Sequence, residues 1–361
     1  MEKITFLSFT FFFLLVTISY SQDEFIIDTT KNEQGLFDSE EILQITLSGN
    51  LSKLLRDKTE DPKKYPLTLS YTEANNNKIS IPVEAKTRGN FRRLIGNCSY
   101  LPLKIYFPEL TVAEKTIFKD QRKMKLVMPC RGEKYVIHEY LVYKLYNLVT
   151  SKSFKARLVK VKLENHQKKK QKPAVYGILL EEEPQMAKRN EMLAVERKLR
   201  PTQVQKEPFL NMAVFEYLIG NTDWSVQYLQ NIKLLASDSL AKPYTVPYDF
   251  DHAGIVSAPY AKPADALKLN SIKERRYRGY CLKDLSKFEA TIALYNQLKP
   301  AIYRVYQDCD LLEEKYKANT LKYLDAFYET INDPEKWQKD FAYPCDPRGT
   351  GNVVIRGLNH N

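Results

Sequence analysis

Cysteine is scarce in this chain, which has five among its 361 residues. So few cysteines do not build a disulfide scaffold, and an odd number leaves at least one thiol unpaired within a single chain. None of their spacings is that of a zinc site. Cys98 and Cys130 flank neighbouring predicted strands, so we expect this pair to form a disulfide, with buried free thiols as the alternative.

Histidine is also rare, with only four residues, at positions 138, 166, 252 and 360. They show no metal-ligand spacing, and none lies near a serine in a nucleophile-elbow context. The sequence therefore argues against a zinc enzyme and against a hydrolase with a Ser-His-Asp triad.

Long apolar runs are absent except at the start of the chain. Lys3 precedes a mostly apolar run at residues 4–18, and small residues follow, which predicts a signal peptide over residues 1–21 with cleavage after Ser21. The junction has no cysteine to carry a lipid anchor. No later segment approaches the roughly 20 apolar residues that cross a bilayer. We expect a secreted or periplasmic protein that does not span a membrane and is a monomer.

The rest of the chain is rich in apolar and basic residues. With 43% hydrophobic and 12% aromatic residues it can form a real core, which excludes disorder for most of its length. The net charge of +11 survives removal of the signal, because Glu2 and Lys3 cancel. Such a charge suggests phosphates, an anionic polysaccharide or a lipid surface as partners. Nucleic acid is not expected for an exported protein.

The predicted fold class is α+β, and residues 22–183 form its β-rich N-terminal lobe. Alternating apolar residues between turn-rich clusters predict short antiparallel strands. Residues 133–149 have apolar positions at helical spacing, which predicts an amphipathic helix that covers the sheet. The tip of a later hairpin, residues 166–172, is rich in lysine and is either an anion-binding loop or a solvated turn. The predicted strands are residues 42–47, 67–71, 79–87, 101–107, 123–128, 159–163 and 174–180.

Residues 184–345 are predicted to form a mostly helical C-terminal lobe. Residues 209–219 are apolar enough for a largely buried helix, which ends at Gly220. Residues 346–361 lack a core pattern and are predicted to be a flexible tail. The other predicted helices are residues 285–306 and 311–331.

Three short polar segments follow helix and strand ends in this second lobe. Asp223 lies just after the buried helix, a rigid support that suits a base. Asn231 begins an apolar strand and can offer an amide oxygen to a hard cation. Asp249 and Asp251 follow the next strand, residues 244–248. Their order is that of the base and magnesium ligands in kinase-like folds, although each segment alone is also explained by an Asx turn or a hairpin corner.

Four motifs accompany these residues. They read Thr-Arg-Gly-Asn at 87–90, Pro-Leu-Lys-Ile-Tyr-Phe at 102–107, Tyr-Gly-Ile-Leu-Leu-Glu-Glu-Glu at 176–183 and Gly-Asn-Thr-Asp-Trp at 220–224. With Asn231 and Tyr-Asp-Phe-Asp at 248–251, they resemble the spore-coat CotH kinases, an atypical branch of the protein-kinase-like fold. The resemblance covers about residues 80–255.

The resemblance implies a two-lobed protein-kinase-like fold. It also implies an enzyme that uses ATP and Mg²⁺ (or Mn²⁺) to transfer a phosphoryl group to a protein or glycan acceptor. The implied roles are Asp223 as catalytic carboxylate, Asn231, Asp249 and Asp251 at the metal, Glu183 in the nucleotide pocket, and Arg88 and Lys104 as phosphate cations.

Other residues could fill some of these roles. Lys125 is placed as well as Lys104, and either lysine could simply face water from a half-buried strand. Glu139, on the predicted helix at residues 133–149, either pairs with a phosphate-binding lysine, as in kinase-like folds, or lies on a solvated helix face.

The sequence also departs from the family pattern. The gap between Asp223 and Asn231 is longer than in most relatives, so Gln227 and Gln230 are alternatives for the metal amide. No Gly-x-Gly-x-x-Gly loop is present to cover phosphates. Export itself argues against an ordinary kinase, because an envelope or extracellular space is expected to hold little ATP. The alternative function is a non-catalytic kinase-like module of the cell envelope, which binds anionic polymer and uses its aspartates structurally.

Overall fold

The structure is a computed structural model that describes Met1 and residues 35–89, 92, 98, 100–108 and 116–342. The predicted signal peptide, the predicted tail at 346–361 and Asn90 of the Thr-Arg-Gly-Asn motif lie outside the described residues. Within these ranges, no helix combines the length and the apolar character needed to cross a membrane.

A closed barrel of seven strands forms the N-terminal part, in the order β1-β2-β3-β4-β5-β7-β6. Apolar side chains alternate along each strand and fill the barrel, as Leu103 and Ile105 do, while Lys104 and Tyr106 point outwards. The strands are β1 (Leu43–Gly49), β2 (Tyr65–Thr72), β3 (Lys78–Thr87), β4 (Leu103–Tyr106), β5 (Lys123–Val127), β6 (Ala156–Asn165) and β7 (Val175–Leu180).

The prediction of an antiparallel sheet is correct for six of the seven neighbouring pairs and wrong for the pair that closes the barrel. β1 and β6 run parallel, with Ile45 opposite Val161. A period of two along a strand shows which residues share a face but not the direction of the partner strand, so the sequence could not predict this pair. The fold is mixed α+β, and the two-lobed arrangement stays a prediction.

The helix predicted at residues 133–149 is confirmed as α2 (Glu133–Val149), but its surroundings differ from the expectation. It packs on β6 and β7 and also against two later helices, so its polar residues His138 and Glu139 are buried as well. The helices in the described residues are α1 (Leu51–Arg56), α2, α3 (Glu183–Arg189), α4 (Lys206–Ile219), α5 (Glu289–Gln307), α6 (Glu314–Ile331) and α7 (Pro334–Phe341).

A small antiparallel sheet lies beside α4, in the order β10-β9-β8. It consists of β8 (Leu193–Val195), β9 (Ile232–Ala236) and β10 (Tyr244–Pro247). The sequence predicts β9 and β10 to within two residues but misses β8, because that strand is short and mostly exposed.

Two predictions about the cysteines can be compared with the structure, namely the disulfide between Cys98 and Cys130 and the presence of an unpaired thiol. Cys98 and Cys130 form a disulfide, as predicted, across a separation of 32 residues. Cys281 is also disulfide-bonded, and Cys309 is a free, half-buried thiol among the described cysteines.

Candidate functional site

The loop that carries Asp223 is fixed from both ends. Helix α4 ends at Gly220 as predicted, at a φ of 67°, and a Cβ there would lie 2.1 Å from the Tyr323 hydroxyl. Asp223 N donates to Asn221 Oδ1 at 3.0 Å, an Asx turn. Arg278 Nη1 donates to the carbonyls of Thr222 and Trp224, the second at 2.7 Å. The backbone on each side of Asp223 is therefore held by one guanidinium group.

The structure brings Asn231 to Asp223 despite the long gap between them. Asn231 Nδ2 donates to the main-chain carbonyl of Asp223 at 2.7 Å and to its Oδ2 at 3.1 Å. The extra residues form a tight hairpin, closed by main-chain bonds between Ser225 and Gln230 at 2.9 and 3.0 Å. The inserted residues thus loop out of the site. Within the described part of the chain no donor reaches Asn231 Oδ1, so this oxygen can act as an acceptor or ligand.

A second amide reaches the same carboxylate. Gln230 Nε2 donates to Asp223 Oδ1, so each oxygen of Asp223 accepts a hydrogen bond from a neighbouring amide. Burial raises the pKa of the Asp223 carboxyl, the charges of Asp249 and Asp251 act in the same direction, and His252 opposes them.

Asp249 lies next to this pair. Asn231 O accepts a hydrogen bond from Tyr248 N at 3.0 Å, which places the amide residue beside the residue before Asp249. Asp249 has a φ of 63°, a strained value for a residue with a side chain, and its N–H donates to the Tyr143 hydroxyl at 2.9 Å. The buried Phe250 ring packs on Tyr143, with centroids 4.9 Å apart.

Asp251 has different surroundings. Its Oδ2 accepts hydrogen bonds from Arg92 Nη2 at 2.6 Å, Arg92 Nε at 3.2 Å and the Tyr260 hydroxyl at 3.1 Å. Burial would raise the pKa of Asp251, but the Arg92 charge outweighs it and the pKa is lowered. Asp251 is thus enclosed by the protein's own donors, whereas Asp249 is half-exposed.

Glu139 completes this buried cluster. Its side chain faces Arg92 Nη2 at 3.6 Å and is only 1% exposed, so neither expected environment for it is found. Burial raises the pKa of the Glu139 carboxyl to about 8, against the opposing charge of Arg92. The cation beside Glu139 is an arginine from the loop between β3 and β4.

Three predicted cations lie on or next to the outer face of β3, β4 and β5. Lys104 and Lys125 are neighbours on paired strands. The positive charge of Arg88 acts on both lysines and lowers the pKa of each. Burial lowers the pKa of Lys125 to about 8, and Asp249 is among the charges that oppose this shift. The Lys125 ammonium lies 4.7 Å from the centre of the Tyr248 ring. Lys125 is therefore the lysine that faces the Asp249 segment.

Glu183 is the first residue of α3, not the last of a strand. Its carboxylate pairs with Lys233 of β9 at 2.8 Å. The preceding residue, Glu182, is buried, and its charge acts on both Lys104 and Lys125. Where the barrel connects to α3, Glu182 therefore lies near Lys104 and Lys125, and Glu183 lies beside β9.

Comparison with known proteins adds little to these contacts. No protein-family model matches the chain, and no curated protein matches it either. The chain is similar to a solved structure, the crystal structure of the proinflammatory kinase CtkA of Helicobacter pylori, with a TM-score of 0.40 and 12% identical residues. The match covers 68% of this chain and 92% of that one. A kinase is thus a structural neighbour, but a TM-score this low carries no argument about activity.

Sequence reasoning missed Arg92 and did not foresee how Gln230 is used. No local pattern marks Arg92, because its partners Glu139 and Asp251 are remote along the chain. The sequence offers Gln230 only as an alternative metal amide, and its contact with Asp223 depends on how the hairpin folds.

The donor set at Asp249 and Asn231 fits a magnesium ion. Mg²⁺ is usually held by one or two protein oxygens together with waters and substrate phosphates. No hydrogen bond to the Asn231 amide oxygen is found among the described residues, and Asp249 is half-exposed beside it. In the part of the chain that the structure describes, no three His, Cys, Asp or Glu side chains group closely enough to hold a metal by themselves. The fit is therefore to a metal that arrives with a polyphosphate.

Proposed function

We propose that this protein is an exported CotH-like kinase, which transfers a phosphoryl group from ATP to a hydroxyl group of a protein or glycan acceptor. The observation that carries the proposal is the double hydrogen bond from Asn231 to Asp223, next to Asp249. It combines a carboxylate that can take a proton with an amide oxygen and a second carboxylate that can hold a metal.

In this proposal Asp223 orients the acceptor hydroxyl and takes its proton. Asn231 and Asp249 hold Mg²⁺, which when bound neutralises charge on the phosphates. The family resemblance also implies a metal role for Asp251. Because Asp251 Oδ2 already accepts three hydrogen bonds, we assign Asp251 to positioning the segment through Arg92.

The cations of the barrel supply the phosphate site. Lys125 faces the Asp249 segment, and the charge of Arg88 acts on both Lys125 and Tyr248. Lys104 lies beside Lys125 on the paired strand. Desolvated lysines gain more from a bound anion than solvated ones, because water screens them less. Glu183 is proposed to line the nucleotide pocket at the connection between barrel and α3.

The test is transfer of labelled phosphate from Mg-ATP to a mixture of candidate proteins and glycans. We expect the Asp223→Ala and Asp249→Ala variants to lose activity by about a hundredfold or more. Asp310→Ala is the matched control, because Asp310 is exposed in the loop between α5 and α6. Activity that survives both site substitutions would remove the site assignment.

A second function is favoured by one surface feature, the lysine-rich hairpin tip at residues 166–172, in which every residue is exposed. In that case the protein is a non-catalytic envelope module that binds anionic polymer through its positive charge. Thermal unfolding with and without Mg-ATP separates the two functions, since a ligand that binds the folded state raises its stability. No shift at millimolar Mg-ATP would favour the binding module.

A further inference from the structure

We infer that Gln230 is a specificity-determining residue, whose side chain covers the base oxygen of Asp223 and so favours a macromolecular acceptor over water. This inference rests on the proposed phosphotransferase function. It concerns what reaches Asp223, and not how the nucleotide is bound.

The two amides at Asp223 hold it in different ways. Asn231 binds the main-chain carbonyl of Asp223 as well as Oδ2, so it is anchored at two points. Among the described residues, the Gln230 side chain makes one hydrogen bond, to Oδ1. Of the two, Gln230 is the donor that a competing hydroxyl group can replace.

The position of Gln230 does not depend on that side-chain bond. Its main chain pairs with Ser225 through two hydrogen bonds, and the next residue, Asn231, turns at a φ of 50°. The side chain can therefore leave Asp223 while the hairpin remains closed. Tyr228 in the same hairpin is 41% exposed, which offers an aromatic surface to an approaching acceptor.

The same proton transfer applies to an acceptor hydroxyl and to water. An O–P bond forms between the hydroxyl oxygen and the γ-phosphorus, the bond from phosphorus to the ADP oxygen breaks, and the hydroxyl proton passes to Asp223. The Gln230 amide occupies one lone-pair direction of Oδ1. Either molecule, if it delivers its proton along that direction, displaces the amide and breaks its hydrogen bond to the carboxylate. A large acceptor offsets this loss through contacts with the hairpin, whereas water makes no such contacts.

The experiment measures phosphate release from Mg-ATP without any added acceptor. We expect Gln230→Ala to hydrolyse ATP roughly tenfold faster than the wild type, with an unchanged KM for ATP. Gln230→Asn has a side chain that is one methylene shorter, and its rate of ATP hydrolysis should lie between those of the wild type and Gln230→Ala. This variant provides the test if the alanine variant does not fold. Gln297→Ala, on the exposed face of α5, should match the wild type.

The possible results separate this inference from the proposed function. If the variants bind Mg-ATP in thermal unfolding but hydrolyse it no faster than the wild type, the role of Gln230 is refuted and the kinase proposal stands. A lower kcat in both Gln230 variants would mean that the amide positions Asp223, which also refutes the inference. If neither the wild type nor any variant binds Mg-ATP, the proposed function fails and this inference fails with it.

Discussion

Arg92 donates two hydrogen bonds to one oxygen of Asp251, at 2.6 and 3.2 Å, across 159 positions of the sequence. The pair joins the loop between β3 and β4 to the segment that follows β10. Both side chains are buried, and Glu139 of α2 lies beside them. One cation therefore holds together three parts of the chain that carry candidate site residues.

Replacing Arg92 should destabilise the protein much more than replacing Glu139. Arg92→Met leaves the buried Asp251 charge without a cation, which costs about 3 to 5 kcal/mol of unfolding free energy. Glu139→Gln should cost about 1 kcal/mol or less, because a carboxyl with a pKa of about 8 is mostly neutral at pH 7. Urea unfolding at pH 7 measures both. Equal losses would contradict the charge assignment in this cluster.

Nucleotide affinity should fall as the pH rises through about 8. Lys125 has its pKa lowered to about 8 by burial, so it is charged below that pH and loses its charge above it. Binding of phosphate favours the charged form, and affinity should fall by up to about tenfold per pH unit above pH 8. Titration calorimetry with Mg-ATP between pH 7 and 9.5 measures this.

Lys125→Arg is the control for this effect, because arginine stays charged over the whole range. We expect its affinity to depend much less on pH than that of the wild type. A wild-type affinity that is flat up to pH 9.5 would exclude Lys125 from the phosphate site.

Asn231→Ala should lower the maximal rate and raise the Mg²⁺ concentration needed for half-maximal activity. The substitution removes an amide oxygen from the proposed metal site and two hydrogen bonds that orient Asp223. We expect a loss of about a hundredfold in kcat. Asn296→Ala is the control, since Asn296 pairs with Asn332 on the surface. A lower rate with an unchanged Mg²⁺ requirement would remove Asn231 from the metal site.

Acid should destabilise the fold through His138. Burial lowers the pKa of His138 to about 4, and its Nδ1 bonds to the Val256 carbonyl at 2.9 Å. Because the folded pKa lies below the ordinary value of 6.5, stability is full above pH 6.5 and is lost as the pH falls towards 4. The loss should be about 3 kcal/mol at most.

His138→Gln retains an N–H donor but does not titrate, so it isolates this effect. Its unfolding free energy should change less between pH 7 and pH 4.5 than that of the wild type. Lys134 and Glu313 also act on His138, and Tyr316 stacks on its ring, but none of them is altered by the substitution. Identical pH profiles would show that His138 does not carry the acid sensitivity.

Local patterns were enough to predict most of the strands and helices. The helix at residues 133–149 and the end of α4 at Gly220 follow from apolar periodicity and from a glycine where a left-handed residue is required. The order of Asp223, Asn231 and Asp249 along the chain predicts that they share one site, and the structure brings these three residues together. Their chemistry remains a prediction.

The sequence by itself determined the α+β composition, the Cys98 and Cys130 pairing and the polar residues of the candidate site, because these depend on short-range patterns and neighbouring elements. Folding decided that β1 and β6 close a barrel, that Arg92 pairs with Asp251 and that Gln230 donates a hydrogen bond to Asp223. Which ion pairs with a buried charge depends on how the helices, strands and loops pack together. Residues so far apart in the sequence share no periodic pattern that would predict their contact.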